Sequence, residues 1–423
     1  MKVLVVGSGA REHALVRSLS TDPAVTELVC APGNAGTAEL AETRPLDVSD
    51  PQAVASLATA EQADLVVIGP EVPLVRGAAD AVRAAGIACF GPGADAARIE
   101  GSKAFAKRVM AAAQVPTAMA HVCSTEDEVA AALDAFGAPY VVKDDGLAAG
   151  KGVIVTSDRE AALEHARQCD GDVVIEEYLD GPEVSLFALT DGTTVAPLVP
   201  AQDFKRVRDG DAGPNTGGMG AYSPLPWAPA GLVDEIVERV VQPTVDELRR
   251  QGTPFVGVLY AGLALTSRGL RVIEFNARFG DPETQVVLAR LRTPLAGLLQ
   301  AAATGRLAEA EPLAWDAGAA VTVVVAAEGY PGKVTTGDPI EGIGDVIAPA
   351  YVLHAGTETG PDGAVVSSGG RVLSVTATGA DLAAARAAAY EGVLAIRLRG
   401  SHYRTDIALA AERGEVRVPS TGD

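Results

Sequence analysis

Four stretches near the start of the chain repeat one form. KVLVVG (2–7), ELVCAPG (27–33), ADLVVIGP (63–70) and IACFGPG (87–93) are each a short apolar run ending in glycine or proline, with an Ala-rich helical pattern between them. Parallel strands need a long crossover, usually a helix, so this alternation is the rhythm of a doubly wound parallel sheet. In such sheets ligands meet the loops at the carboxyl ends of the strands. Residues 1–100 are therefore expected to form a doubly wound α/β domain.

At 423 residues the chain is too long for one core, and two to four domains are expected. A second unit, 101–312, contains a hairpin-rich lobe at about 116–188 that reads as a mobile lid. Its long loop QDFKRVRDGDAGPNTGGMGAYSPLP precedes a helix near 230–251 and strands near 256–265 and 273–278. From 313 to 423 strands and glycines lead to one long Ala-rich helix (381–396), the pattern of a small α+β domain. A chain of formal net charge −21 is a poor nucleic-acid binder, so no nucleic-acid partner is expected and any anionic ligand must be held by local nests and a few cations. Cys30, Cys89, Cys123 and Cys169 are scattered with no CxxC, as in a reducing, cytoplasmic compartment. No apolar run is long enough for a membrane helix.

Three stretches carry chemistry. In GSGAREH a strand-to-helix glycine turn around Gly9 offers backbone N–H groups to an anion, although Glu12 stands where a dinucleotide fingerprint has a third small residue. In VVKDDGLAAGKGV, Lys143 ends a strand and Gly146, Gly150 and Gly152 form a loop that lets backbone N–H groups approach phosphates. IEEYLDGPE then suits an adenosine: backbone around Glu176 to Leu179 for the base, Glu183 for ribose hydroxyls. In IEFNARFGDPETQ (273–285), strand alternation puts Ile273, Phe275 and Ala277 on one face and Glu274, Asn276 and Arg278 on the other. Glu274 and Asn276 are hard oxygen ligands suited to Mg²⁺ bridging nucleotide phosphates, and Arg278 can neutralise charge on a transferring phosphoryl group.

Lys103, Lys143, the glycine loop, EEYLxGPE and E-x-N-x-R, in that order, resemble the ATP-grasp superfamily and, within it, the phosphoribosylamine–glycine ligase family. Matching stretches run from GSGAREHAL to SHYRTDIA, with GPNTGGMGAYSP and FNARFGDPETQ the most specific. The resemblance implies an ATP-grasp fold between the two flanking domains. It implies ligation of glycine to 5-phosphoribosylamine through an acyl phosphate, with ATP and Mg²⁺ or Mn²⁺, in a monomer or weak homodimer. By the same resemblance Lys103 and Lys143 meet the ATP phosphates, Glu176, Glu177 and Leu179 hold adenine, Glu183 holds its ribose, and Glu274 and Asn276 hold the metal. Glu71 is implied for the substrate ribose, Asp281 for its amine and Arg371 for its phosphate, with Asn215 to Gly220 closing over the site. The chain departs from the family pattern at Asp144 (usually alanine), Phe204 (histidine), Ala277 (cysteine) and Ala10 (glycine), and VGVLYAGLAL lacks the metal-binding acid many ATP-grasp enzymes carry there.

Three alternatives remain open on the sequence. One is another ATP-grasp ligase of purine synthesis, carboxylating or formate-using. Another is a nicotinamide-dependent dehydrogenase built on GSGARE, which would need an acid closing the second strand, where CAPGNAG stands. The third is a nucleotide-sensing module without catalysis.

Overall fold

The computed structural model describes residues 1–147 and 152–420. Its amino-terminal sheet has five parallel strands in the order Glu42–Thr43, Glu27–Pro32, Lys2–Gly7, Leu65–Ile68, Ala88–Phe90. Val3, Leu4, Val5 and Val6 are all fully buried, because helices cover both faces and an uninterrupted apolar run is what such a strand requires. The strand order reverses beside Lys2–Gly7. The loops leaving Gly7 and Ile68 therefore open onto one crevice, where Gly9 and Gly69 both lie against the Glu12 side chain.

Two antiparallel four-stranded sheets follow. The first orders Ala120–Cys123, Val173–Glu176, Tyr140–Asp144 and Val153–Thr156. Helices Glu126–Phe136 and Arg159–Arg167 build its separate small core around Leu133, Val142 and Ile175. The second sheet orders Val195–Pro197, Glu183–Asp191, Val256–Thr266 and Gly269–Asn276. The helix expected near 230–251 runs from Leu232 to Arg250, with one π-helical turn at Val237–Val241 just before Pro243, whose missing N–H cannot continue the regular ladder.

The carboxyl-terminal sheet takes strands from two parts of the chain. Gln202–Asp203 and Gly220–Ser223 join Ala319–Ala326, Arg371–Gly379 and Ala350–His354, all antiparallel. The segment 202–223 is thereby stitched into this sheet, and inside it Arg206–Arg208 pairs with Ala212–Asn215 to carry GPNTGG. Helix Leu382–Ala395 covers the sheet through Ala385, Ala389 and Val393. All four cysteines are free thiols, and Cys30, Cys89 and Cys123 are buried.

One local expectation fails. Gly262 pairs with Glu274 but Leu263 pairs with Val272, so Ile273 is an extra, bulged residue. A bulge shifts the alternation by one. Leu270 and Val272 are buried before it, Phe275 and Ala277 after it, and Ile273 drops out of the core row. The alternation beyond the bulge keeps Glu274, Asn276 and Arg278 on a common side.

Candidate active site

Lys143, expected at the nucleotide phosphates, is held by a buried three-group bridge. Lys143 Nζ lies 2.8 Å from Glu176 Oε2, and Lys107 Nζ lies 2.9 Å from Glu176 Oε1. Lys143 also donates to Ile273 O at 3.1 Å, the carbonyl of the bulged residue. Burial opposes the charge on both Glu176 and Lys143. The two lysines nevertheless hold Glu176 below the usual carboxylate range, and Glu176 and Glu274 raise Lys143. Lys103 opens helix Lys103–Ala112. Ser102 caps that helix by accepting from Phe105 N, and Asp145 accepts from Ser102 Oγ and Ala104 N. Lys103 Nζ donates to Gly146 O at 3.0 Å, and burial lowers its pKa. Both lysines feel the Glu274 carboxylate, so the three groups converge.

The expected adenine segment begins where strand Val173–Glu176 ends. The Glu177 N–H donates to Met119 O, Glu177 Oε1 accepts from Met119 N at 2.9 Å, and Glu177 Oε2 pairs with Arg268 at 2.9 Å. The side chain of Glu177 is thus spent on ordering the segment. Met119 and Tyr178 beside it are exposed large apolar side chains, as a flat base requires, and Leu179 is half-buried. Gly150 lies outside the described residues. Glu183 Oε2 is 2.6 Å from Lys205 Nζ, which also meets Asp203 Oδ1 at 2.9 Å. Burial, reinforced by Glu283 and Glu183 against the pull of Lys205, pushes Asp203 up to about 7.

Beyond Glu274 the row continues into an ion cluster. Arg278 Nη2 lies 2.9 Å from Glu100 Oε1 and 3.3 Å from Asn276 Oδ1, and its Nε lies 3.5 Å from Glu71 Oε2. Glu100 Oε2 accepts from Ala277 N at 2.7 Å. Burial opposes the guanidinium charge, but Glu100 and Glu71 hold it firmly protonated. Under the row, Tyr260 donates to Glu283 Oε1 at 2.6 Å and lies 2.9 Å from Ser185 Oγ. Glu283 is therefore engaged in the floor of the site. No group of three or more His, Cys, Asp or Glu among the described residues could hold a metal. Glu274 and Asn276 fit an ion that takes its other oxygens from phosphates and water.

Asp281 forms a second focus, at the meeting of the amino-terminal, central and carboxyl-terminal parts. Its Oδ2 accepts from Arg11 N at 3.3 Å, its Oδ1 accepts from Gln285 Nε2 at 2.9 Å, and Arg371 Nη1 lies 3.4 Å from Oδ1. Arg371 Nη1 also donates to Gly217 O and Asp281 O. Burial works against the carboxylate, yet Arg371 and Arg11 hold Asp281 below its usual range. The Arg11 amide belongs to the first turn of helix Ala10–Ser20, whose dipole adds to this. Asn215 Nδ2 reaches Val153 O at 3.4 Å, joining the GPNTGG segment to the small sheet.

The glycine turn at the start holds an internal anion. Glu12 Oε2 accepts from Gly9 N at 2.6 Å, Glu12 Oε1 pairs with Arg11 Nε at 2.6 Å, and Glu12 is 1% exposed. A Cβ at Gly7, Gly9 or Gly69 would run into this side chain. The glycines therefore make room for a carboxylate of the chain itself. Loop 33–37 closes the same end: Asn34 Nδ2 donates to Ser8 O and His354 O, and His354 N donates to His13 Nδ1 at 2.8 Å. Sequence reasoning missed Glu12, Glu100, Lys107, Asp203, Lys205, Tyr260 and Gln285 as participants. Their signal was available only as acids and bases embedded in apolar patterns, where burial demands a partner.

Two antiparallel sheets joined through Lys143 and the Ile273 carbonyl, following a doubly wound parallel domain, are the layout of the ATP-grasp class of ligases. The family models agree domain by domain: phosphoribosylglycinamide synthetase N domain over residues 1–100, ATP-grasp (A) domain over 101–284 and C domain over 320–410. The chain belongs to the phosphoribosylamine–glycine ligase (phosphoribosylglycinamide synthetase) family. It is 70% identical to the phosphoribosylamine–glycine ligase of Streptomyces coelicolor over 97% of this chain and 99% of that protein. It is 59% identical to that of Mycobacterium tuberculosis over 99% of this chain and 100% of that protein. The crystal structure of the Thermotoga maritima phosphoribosylamine–glycine ligase matches with a TM-score of 0.84 at 33% identity, over 96% of this chain and 100% of that one. The biotin carboxylase domain of Hydrogenobacter thermophilus 2-oxoglutarate carboxylase, a complex with MgADP, shares the fold at 17% identity and a TM-score of 0.71, over 95% and 91% of the two chains. The function is that of an ATP-dependent ligase.

Proposed function

We propose that this chain joins glycine to 5-phosphoribosylamine through glycyl phosphate, giving glycinamide ribonucleotide, ADP and phosphate in purine biosynthesis, as a monomer or weak homodimer in the cytoplasm. The observation that carries the reading is the pairing of two foci: a lysine-and-oxygen row suited to a nucleotide triphosphate, and an ionised Asp281 flanked by Arg11 and Arg371.

A carboxylate is a poor electrophile until one oxygen becomes part of a leaving group. In the first step the glycine carboxylate attacks the γ-phosphorus of ATP, and ADP leaves. Lys103 and Lys143 would neutralise the phosphates, and Arg278, anchored by Glu100 and Glu71, would meet the transferring group. Glu274 and Asn276 would hold Mg²⁺ or Mn²⁺, which supplies charge neutralisation between the phosphates. The adenine would lie along Glu176 to Leu179 between Met119 and Tyr178, with Glu183 toward the ribose. In the second step the amine attacks the acyl carbon and phosphate departs. Asp281 orients the amine and takes up its proton, Arg371 meets the sugar phosphate and Glu71 the ribose. The Gly9 amide serves this focus indirectly, by holding Glu12 against Arg11. The small sheet and Asn215 would exclude water from the acyl phosphate.

The test is phosphate release from MgATP, omitting glycine and freshly formed phosphoribosylamine in turn. Release that needs both supports the reading. Release supported equally by bicarbonate or formate without glycine would favour another ligase of the same fold.

A further inference from the structure

Gln285 has no ordinary reason to be where it is. It is the third residue of helix Glu283–Arg290 and is fully buried. A glutamine at this position commonly reaches back to the backbone N–H of the capping residue. Here that residue is Pro282, which has no N–H to offer. The side-chain amide turns to Asp281 instead, Nε2 donating to Oδ1 at 2.9 Å. Its own oxygen, Oε1, is buried with no hydrogen-bond partner among the described residues. An unpaired buried acceptor is destabilising, and an apolar side chain of similar size would avoid that cost.

We propose that Gln285 is a positioning residue that sets the orientation of the Asp281 carboxylate toward the incoming amine. This rests on the reading of Asp281 as the group that meets that amine. The other contacts to the carboxylate are longer, 3.3 Å from the Arg11 amide and 3.4 Å from Arg371. Arg371 is also shared with the carbonyls of Gly217 and Asp281 itself. Gln285 Nε2 is thus the shortest tether, and it leaves Oδ2 turned toward the amino-terminal helix, on the side of the crevice. The same hydrogen bond favours the ionised form, alongside Arg371 and Arg11.

Gln285→Met removes both the donor and the orphan acceptor at similar volume. The proposal predicts that kcat/KM for phosphoribosylamine falls about 10- to 100-fold, the scale of one hydrogen bond to a charged group, while KM for ATP and glycine and the melting temperature stay at wild-type values. Gln285→Glu keeps the size and sets a second carboxylate against the first, so its loss should be larger and again specific to the amine. The double variant Asp281→Asn/Gln285→Met should be no worse than Asp281→Asn alone, because both act through one carboxylate. Amine kinetics unchanged in both Gln285 variants, or a fall shared equally by all three substrates with a lowered melting temperature, would overturn the proposal, as would additive losses in the double variant. If Asp281→Asn itself spares amine kinetics, the reading of Asp281 falls first, and the position of Gln285 loses its purpose with it.

Discussion

Glu176→Gln should loosen the small sheet from inside. The wild-type carboxylate is 3% exposed and is shared by Lys143 at 2.8 Å and Lys107 at 2.9 Å. The amide keeps the shape and removes the negative charge shared by the two ammonium groups. At a separation of roughly 5 Å and an effective dielectric of about 20, their repulsion is about 3 kcal/mol. Breaking a buried pair by neutralising one partner typically costs about 3–5 kcal/mol, which agrees. Hydrogen exchange over Tyr140–Asp144 and Val173–Glu176 reads this locally, without assuming that three domains unfold together. At pH 7 protection there should fall by about two to three orders of magnitude. The pH sign is definite. With the carboxylate gone, a lysine has a folded pKa below its unfolded value, so the unfolded chain binds more protons and stability rises with pH. The loss should therefore shrink toward pH 9. Adding Lys107→Met should recover most of it, since one cation and its repulsion are removed. Protection within about threefold of wild type at pH 7, or a deficit that ignores both pH and Lys107→Met, would refute the reasoning.

Three further outcomes are expected. Glu274→Gln should still bind ATP but lose about two to three orders of magnitude in kcat, partly recovered by added Mg²⁺; near-normal turnover would make the row a surface feature. Gly69→Ala puts a Cβ into the Glu12 carboxylate and should cost about 1–3 kcal/mol in thermal unfolding, so an unchanged melting temperature would mean Glu12 does not fill this loop. Asp203, pushed up to about 7, keeps a proton in the fold that the unfolded chain releases near pH 4. Wild-type stability is therefore lost as pH rises across that window, and Asp203→Asn should gain on wild type, on the order of 3 kcal/mol, between pH 5 and pH 8; a constant difference by urea titration would contradict this.

How far the sequence could be read depends on the range of the contacts involved. The parallel sheet was legible because each strand of an α/β unit carries its own apolar run and glycine stop. The row Glu274, Asn276, Arg278 was legible because alternation is local, although the bulge at Ile273 was not, since it appears only in the pairing with Gly262 and Leu263. The counter-charges were hidden. Nothing near Lys107 in the chain announces Glu176, 69 positions on, nor does Glu100 announce Arg278. The turn at GSGAREH looked like an anion site and is one, but the anion is Glu12. The stitching of 202–223 into the carboxyl-terminal sheet also escaped, because short strands such as Gln202–Asp203 are defined by their partner and not by their own pattern.

The central claim is that the glycine carboxylate is phosphorylated before the amine attacks. Glycine labelled with ¹⁸O in both carboxyl oxygens tests it in one turnover experiment with MgATP and phosphoribosylamine. If the carboxylate attacks the γ-phosphorus, the oxygen that bridges carbon and phosphorus leaves with the phosphate. Each phosphate released should then carry one ¹⁸O, and the new amide should keep the other. Unlabelled phosphate, formed in step with the amide, would contradict the account.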